Sequence, residues 1–428
     1  MKVNTKNMEV KILRRSMKAF VTGFVLMLLF TPYHGWSQVT SLDKILKAIR
    51  ENNPMLKEYQ FRSSAMKNYA QGATSLMAPE VGGGLWMVPY TKQTEAGNKG
   101  QIMLSVQQKF TSAAKLRANQ HYLNSKAGIE DDSESYVFNE LRAQAKTAYY
   151  QWMVTEEKSK VLHENEAIIS LMLKLAKLRY PYNQSKLGNV FKAEGRLQEI
   201  KNMQLMNDTR IVQKNILLNQ LMNQPTSNRF EVDTTTNVTI TLLEQPDTIT
   251  FVQDRSDIKR IDKTIQSMRL NQQLEKYQSR PDFNISFNHM IPRGSGMPSQ
   301  FMLLGMVSIP IAPWSSKMYK SNVKGMESEI QSLKKEREAM LNEAVGMAAS
   351  MANEISSLKQ QLENYKTRII PALKRNYQTL MLAYEENREE LPIVIDGWEA
   401  LNMAQMEYLN KLEEYYNMIV SYEKQLEK

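Results

Sequence analysis

The sequence predicts a mainly α protein with a small β part, and three observations carry that class. Gly and Pro number only 17 and 14 in 428 residues, so few turns interrupt the chain and long helices are expected. Apolar residues recur every three or four positions over most of it, yet the stretch DFNISFNHM alternates strictly, with Phe283, Ile285 and Phe287 on one side and Asn284, Ser286 and Asn288 on the other. The chain also matches itself at one offset: Asn53-Pro54-Met55-Leu56 aligns with Arg255-Ser256-Asp257-Ile258, Ala65-Met66-Lys67 with Ser267-Met268-Arg269, Pro79-Glu80-Val81 with Pro281-Asp282-Phe283, and Lys115-Leu116-Arg117 with Lys317-Met318-Tyr319. An internal duplication is the simplest source of such matches.

Residues 1–37 read as a signal peptide. Lys11, Arg14, Arg15 and Lys18 precede the apolar run AFVTGFVLMLLF, and small residues follow at Gly35 and Ser37. The run is too short to span a bilayer, and Met17 opens a complete signal by itself. This segment carries six basic residues against Glu9, so about half of the formal charge of +10 leaves with it. The remaining charges alternate in sign along helices, as in EIQSLKKEREAM, which describes a solvated helical face and no nucleic-acid stripe.

Residues 38–229 form the first repeat: a helix, strands at about 80–91 and 101–110, and long helices over 111–225. The second strand alternates, with Ile102, Leu104 and Val106 opposite Gln101, Ser105 and Gln107. No Pro occurs between Thr111 and Tyr180, enough for a helix of about 100 Å if continuous. Residues 230–251 (FEVDTTTNVTITLLEQPDTITF) read as a linker with a short strand of its own. Residues 252–428 repeat the layout, with strands at about 282–290 and 301–311 and long helices over 313–428. There Met351, Ile355, Leu358, Leu362, Tyr365 and Ile369 step by four and three, a coiled-coil seam that Pro371 is expected to break.

Strands of 9 to 11 residues with one apolar and one polar side fit the wall of a transmembrane β-barrel. Phe283, Ile285 and Phe287 would then face lipid, and Asn284, Ser286 and Asn288 an aqueous lumen. A half-buried sheet in a soluble protein has the same alternation. The aromatics Trp86, Tyr90, Phe110, Phe301 and Trp314 at or near strand ends favour the barrel, as interfacial residues. Four strands cannot close on themselves, and open edges are not tolerated in lipid. Three copies would supply twelve strands, enough for a lumen, so a conduit needs at least a homotrimer.

In order along the chain, the NPML opening at Asn53, RSDI at Arg255, MVSIPIAPWSSK, IIPALKRNYQTLMLAYEEN and the ending ALNMAQMEYLNKLEEYYNMIVSYEKQL resemble the TolC-like outer-membrane efflux proteins over nearly the whole mature chain. The resemblance implies long helical hairpins forming a periplasmic α-barrel below a trimeric twelve-stranded barrel in the outer membrane of a Gram-negative bacterium. It implies no enzymatic activity, and an exit duct served by a periplasmic adaptor (membrane fusion protein) and an inner-membrane pump of the RND type. The exit duct of a type I protein-secretion system, and a secreted helical scaffold or adaptor without a pore, are the alternatives.

The turns around YPYNQSKLGNVFKAEGRL and YEENREELPIVIDGWEAL are the candidate periplasmic tips, with Leu187, Gly188, Asn189, Leu391, Pro392 and Ile393 as adaptor-docking residues. Asp396 matches one of two acids that family members place after the second turn as a gate. The other position is Ile393, and Glu390-Leu391-Pro392 stands where the family has Gly. The segment LGNVFKAEGRLQEIKN is similar to heavy-metal efflux members, and the 28 Met suit soft ions, although most lie at helical spacing where Met fills core gaps.

Other chemistry finds no foothold. There is no Cys, which excludes disulfides, thiolate metal sites and the lipidated cysteine of a lipoprotein anchor. His34, His121, His163 and His289 are scattered, no Walker or GxSxG motif occurs, and neither a catalytic constellation nor a cofactor site is expected.

Overall fold

The structure is a computed structural model that describes residues 39–90, 99–234, 255–294, 298–310 and 312–428. The expected signal peptide and most of the 230–251 linker lie outside these residues. Among the described residues the chain divides into a small unit, Val39–Thr40 with Arg229–Glu231, and a main unit within Ser41–Asn228 and Val232–Lys428.

In chain order the elements begin with β1 (Val39–Thr40), α1 (Leu42–Asn52) and α2 (Pro54–Gly72). Asn53 explains the break between the helices. It has extended dihedrals, its side chain accepts from the Met55 N–H at 2.9 Å, and Pro54 sits in the first turn of α2, where a missing N–H costs nothing. Strands β2 (Glu80–Trp86) and β3 (Gln101–Phe110) follow. Strand β2 ends five residues before the expected Thr91, because Met87 takes a left-handed φ of 52° and Pro89 has no N–H to give the ladder.

Helix α3 (Ala113–Arg179) is continuous for 67 residues, about 100 Å at 1.5 Å per residue. A tight turn at Tyr180–Tyr182 leads to α4 (Leu187–Leu221), and the short β4 (Glu231–Val232) pairs with β1. Then come α5 (Ser256–Lys276), a tight turn at Tyr277–Ser279, β5 (Asp282–Pro292) and β6 (Gln300–Ser308). Strand β5 thus runs two residues past the expected end, and β6 stops three short. The chain closes with α6 (Pro313–Asn364), a π-helical turn at Tyr365–Ile369, α7 (Ile370–Glu385) and α8 (Leu391–Gln425).

The break expected at Pro371 falls just before it. Pro371 cannot donate to the Thr367 carbonyl and its ring crowds that carbonyl, so the preceding turn widens to the π form while the helical path resumes at once. The seam residues Ile355 and Leu358 are buried, whereas Ile369, the last residue of the π turn, is exposed.

The two halves end alike. Helices α4 and α8 are both 35 residues long, and each closes on a left-handed residue, Asn223 and Glu427. The turns before them carry left-handed Asn183 and Asn387. A side chain at the head of each half also binds the end of its last helix: Asn53 Nδ2 donates to the Leu221 carbonyl at 2.8 Å, and an Arg255 guanidinium N–H to the Gln425 carbonyl at 3.3 Å.

Candidate functional site

The sheet has strand order β2-β3-β5-β6, with antiparallel pairing throughout and free edges at β2 and β6. Residues paired across antiparallel strands share a face. The rows Val81–Val106–Phe287–Leu303 and Phe110–Phe283–Val307 are therefore apolar, and Phe287 and Phe301 stack at 6.0 Å on the same side. The rows Gly82–Ser105–Asn288–Met302 and Glu80–Gln107–Ser286–Leu304 make the opposite, more polar face.

Burial is inverted relative to a sheet packed on a core. Phe283, Ile285 and Phe287 are 42–49% exposed, while Ser286 and Asn288 are 7% and 8% exposed and Asn284 is half-buried. No helix covers the apolar side enough to hide it, so the sheet presents grease outward. Register also places Trp86 in the row Trp86–Gln101–Pro292, on the polar face, opposite to where a lipid-facing girdle residue sits. Its strand, EVGGGLW, has too few apolar residues to phase by sequence alone. Trp314, in the first turn of α6, is 82% exposed. At the base of the sheet Lys115 Nζ meets the Asp282 carboxylate at 3.2 Å and ties β5 to α3.

At the other candidate site, four helices converge on an apolar core. Ile169, Met172 and Ala176 of α3, Val190, Ala193 and Ile200 of α4, Tyr384 of α7, and Leu391, Val394, Ile395 and Trp398 of α8 are all buried. Trp398 Nε1 donates to the buried Asn165 Oδ1 at 2.7 Å. Gly397 permits the approach of α7: a Cβ there would stand 2.6 Å from Leu380 Cδ1.

Arg179 joins the two turns. Its guanidinium donates to the Tyr384 carbonyl at 2.8 Å and the Glu385 carbonyl at 3.1 Å, closing the end of α7, and lies 4.3 Å from the Tyr384 ring centre. Burial pushes the Tyr384 hydroxyl pKa up, with Arg179 pulling the other way. Three ion pairs then run between α4 and α8 or the residues that cap them: Lys186–Glu390 at 3.2 Å, Lys192–Asp396 at 2.6 Å and Arg196–Glu399 at 2.8 Å.

Asp396 is thus paired within its own chain. Leu187 and Ile393 are exposed, Leu391 belongs to the apolar core, and Pro392 occupies the first turn of α8. Gly188 and Asn189 open α4, and the Asn189 N–H bonds back to the Lys186 carbonyl at 2.9 Å. Asn387 supplies the left-handed residue of this turn, at φ 60°.

Among solved structures the chain is similar to the outer-membrane channel OprN (13% identity, TM-score 0.74, over 90% of this chain and 89% of that one). CusC, solved in a study of folding and transmembrane channel formation, aligns with TM-score 0.75 at 13% identity over 93% and 95%. The Campylobacter jejuni CmeC outer membrane channel aligns with TM-score 0.70 at 14% identity over 90% and 85%. This chain has the fold of those channel proteins. No protein-family model matches it, and no curated protein matches it by sequence.

In this TolC-like fold the exposed apolar face of β2-β3-β5-β6 and the paired helical turns are the two surfaces with chemistry to explain. Among the described residues no helix is long and apolar enough to cross a membrane, and no group of His, Asp and Glu is placed to hold a metal ion. Sequence reasoning missed Arg179, Lys192 and the left-handed Asn residues. The signal for the last was present, an Asn following each helical run at equivalent places in the two halves.

Proposed function

We propose that the chain is the outer-membrane exit duct of a tripartite efflux system, a homotrimer that conducts cargo passively and catalyses nothing. One observation carries this reading: in a four-stranded sheet with free edges, Phe283, Ile285 and Phe287 are exposed on one face while Ser286 and Asn288 are buried on the other. Water would penalise that arrangement, and lipid rewards it. Three such sheets, joined β6 to β2, would make a twelve-stranded wall, with the duplicated helices forming a tunnel in the periplasm. A pore-free scaffold has no use for such a face.

The helical turns would meet the periplasmic adaptor, and the inner-membrane pump, of the RND type, would supply the energy. Asp396 would serve the gate as one member of a charge pair, controlled by Lys192. A heavy-metal cargo is the finer form of the proposal, supported by the abundance of Met.

Cell-envelope fractionation and planar-bilayer recording test the duct together. The expected protein is extracted from outer membranes only by detergent, migrates as a trimer and opens discrete channels. A monomer soluble without detergent would end the proposal.

A further inference from the structure

The helices change character just below the sheet. Ala113–Asn124 at the head of α3, Arg269–Arg280 at the end of α5 and Pro313–Lys324 at the head of α6 carry eight Lys and Arg against one acid, Glu275. Further along α6, as in EIQSLKKEREAM, acids and bases are mixed. A cleft of about 300 Å³ lies between α3 and α5 inside this basic band. Arg117, His121, Gln273 and Tyr277 line it together with apolar Ala118 and Leu270, and no acid does. The Arg280 guanidinium, 4.7 Å from the Tyr277 ring centre, adds a second cation beside it. Lys115 on the same helix is satisfied by Asp282 at 3.2 Å, whereas Arg117 and His121 make no hydrogen bond or ion pair among the described residues.

We propose that this cleft holds the headgroup of an acidic phospholipid, its phosphate against Arg117 and Tyr277 and its acyl chains toward Phe110 and Phe283. The depth fits. Arg117 stands four residues past Ala113, about 6 Å along α3, and Tyr277 five residues before Asp282, where β5 begins. The headgroup layer on each side of a bilayer is roughly 5–8 Å deep, so tails against the last apolar row, Phe110–Phe283, would set headgroups level with the cleft. The side fits as well. Lys259, Gln266 and Gln273, seven residues apart on one face of α5, are exposed, while on the opposite face Ile261 is buried and Met268 and Glu275 are half-buried. The cleft thus opens on the less covered side of the helices, as the apolar face does on the sheet. A free anion has no use for Ala118 and Leu270, and an amphiphile has.

The site rests on the duct reading, which supplies the bilayer, and gives that reading a lipid partner. The test is native mass spectrometry of the full chain in an uncharged detergent, with dioleoylphosphatidylglycerol and dioleoylphosphatidylcholine at equal concentration, alongside bilayer recording. A basic side chain near an acidic lipid surface is worth roughly a factor of five in binding. The wild type is therefore expected to retain the acidic lipid at least about fivefold more often, and R117Q/R280Q to lose most of that preference. The control K374Q/R375Q removes the same charge from exposed positions of α7 and is expected to keep it. Equal retention of the two lipids by the wild type, an unchanged preference in R117Q/R280Q, or the same loss in the control overturns the site. So does displacement of the lipid by an equal concentration of inorganic phosphate, which would make the cleft a phosphate site. Selective retention that R117Q/R280Q loses, in a protein that opens no channels, supports the site and sinks the duct; channels without lipid selectivity sink the site alone.

Discussion

Lys192 Nζ lies 2.6 Å from Asp396 Oδ1, so the acid matched to a channel gate is neutralised inside its own chain. Both side chains are substantially exposed, 34% and 64%, and an exposed pair of this kind contributes only about 0.2–1 kcal/mol to stability. Its effect should therefore appear in ion flow. Lys192→Met leaves Asp396 unpaired and is expected to raise cation selectivity, and Asp396→Asn to lower it, with melting temperatures nearly unchanged. Reversal potentials across a salt gradient measure this. Selectivity unmoved in both variants would leave Asp396 an ordinary helix acid.

Arg179 is predicted to be the stabilising member of the turns. It makes two charge-assisted hydrogen bonds to the last carbonyls of α7, of which the Tyr384 carbonyl also accepts from the Asn387 N–H at 3.1 Å. Removing a hydrogen bond to a charged group costs about 1.5–3 kcal/mol. In Arg179→Ala, amide exchange across residues 382–390 should speed up by roughly thirtyfold, the equivalent of about 2 kcal/mol. Arg179→Lys should recover part of this, since one ammonium cannot span both carbonyls as the planar fork does. Exchange confined to wild-type rates would place the strength of the turn in its apolar core alone.

What the sequence made legible follows from the range of each signal. Strand alternation and helical seams are local, so β3 falls at 101–110 as its pattern requires and the seam through Ile355 and Leu358 is buried. Pro371 disturbed the helix without ending it, because α8 and the rest of the bundle hold both sides of the π turn in place. The partners of Asp396 and Tyr384 lie about 200 residues away, at Lys192 and Arg179, and no local periodicity names them. The only pointer was the match of the chain with itself at one offset, which is close to the separation of each pair. The face that Trp86 takes, the polar one, was not legible, because its glycine-rich strand carries no phase.

The sheet offers the sharpest test of lipid exposure. Phe287, on the central strand β5, is 42% exposed on the apolar face, while Gln107 lies one strand away on the other. A basic residue at the bilayer midplane on a barrel's lipid face costs about 2–4 kcal/mol, and lumen positions tolerate one. Phe287→Arg is expected to abolish heat-sensitive trimer in outer-membrane fractions, and Gln107→Arg to assemble normally. A soluble sheet predicts the reverse order, since Phe287 would then already be in water.

Glu427 makes stability depend on pH. Its carboxylate accepts from the Ser256 N–H and Oγ–H, each at 2.7 Å. Burial pushes its pKa above the ordinary carboxylate value, and the Ser256 hydrogen bonds pull the other way without winning. The folded chain therefore holds this proton more tightly than the unfolded chain does. The resulting stability is fully present below the ordinary pKa of 4.5 and is lost as pH rises through the higher folded value. Glu427→Gln keeps an acceptor for Ser256 and removes the titration. Melting curves from acid to neutral pH should show wild type losing ground to Glu427→Gln as pH rises from about 4.5, with the gap constant above the folded pKa. Parallel curves would mean that Asp257 and Arg255, which act on this carboxyl in opposite directions, leave it with no net preference for the protonated form.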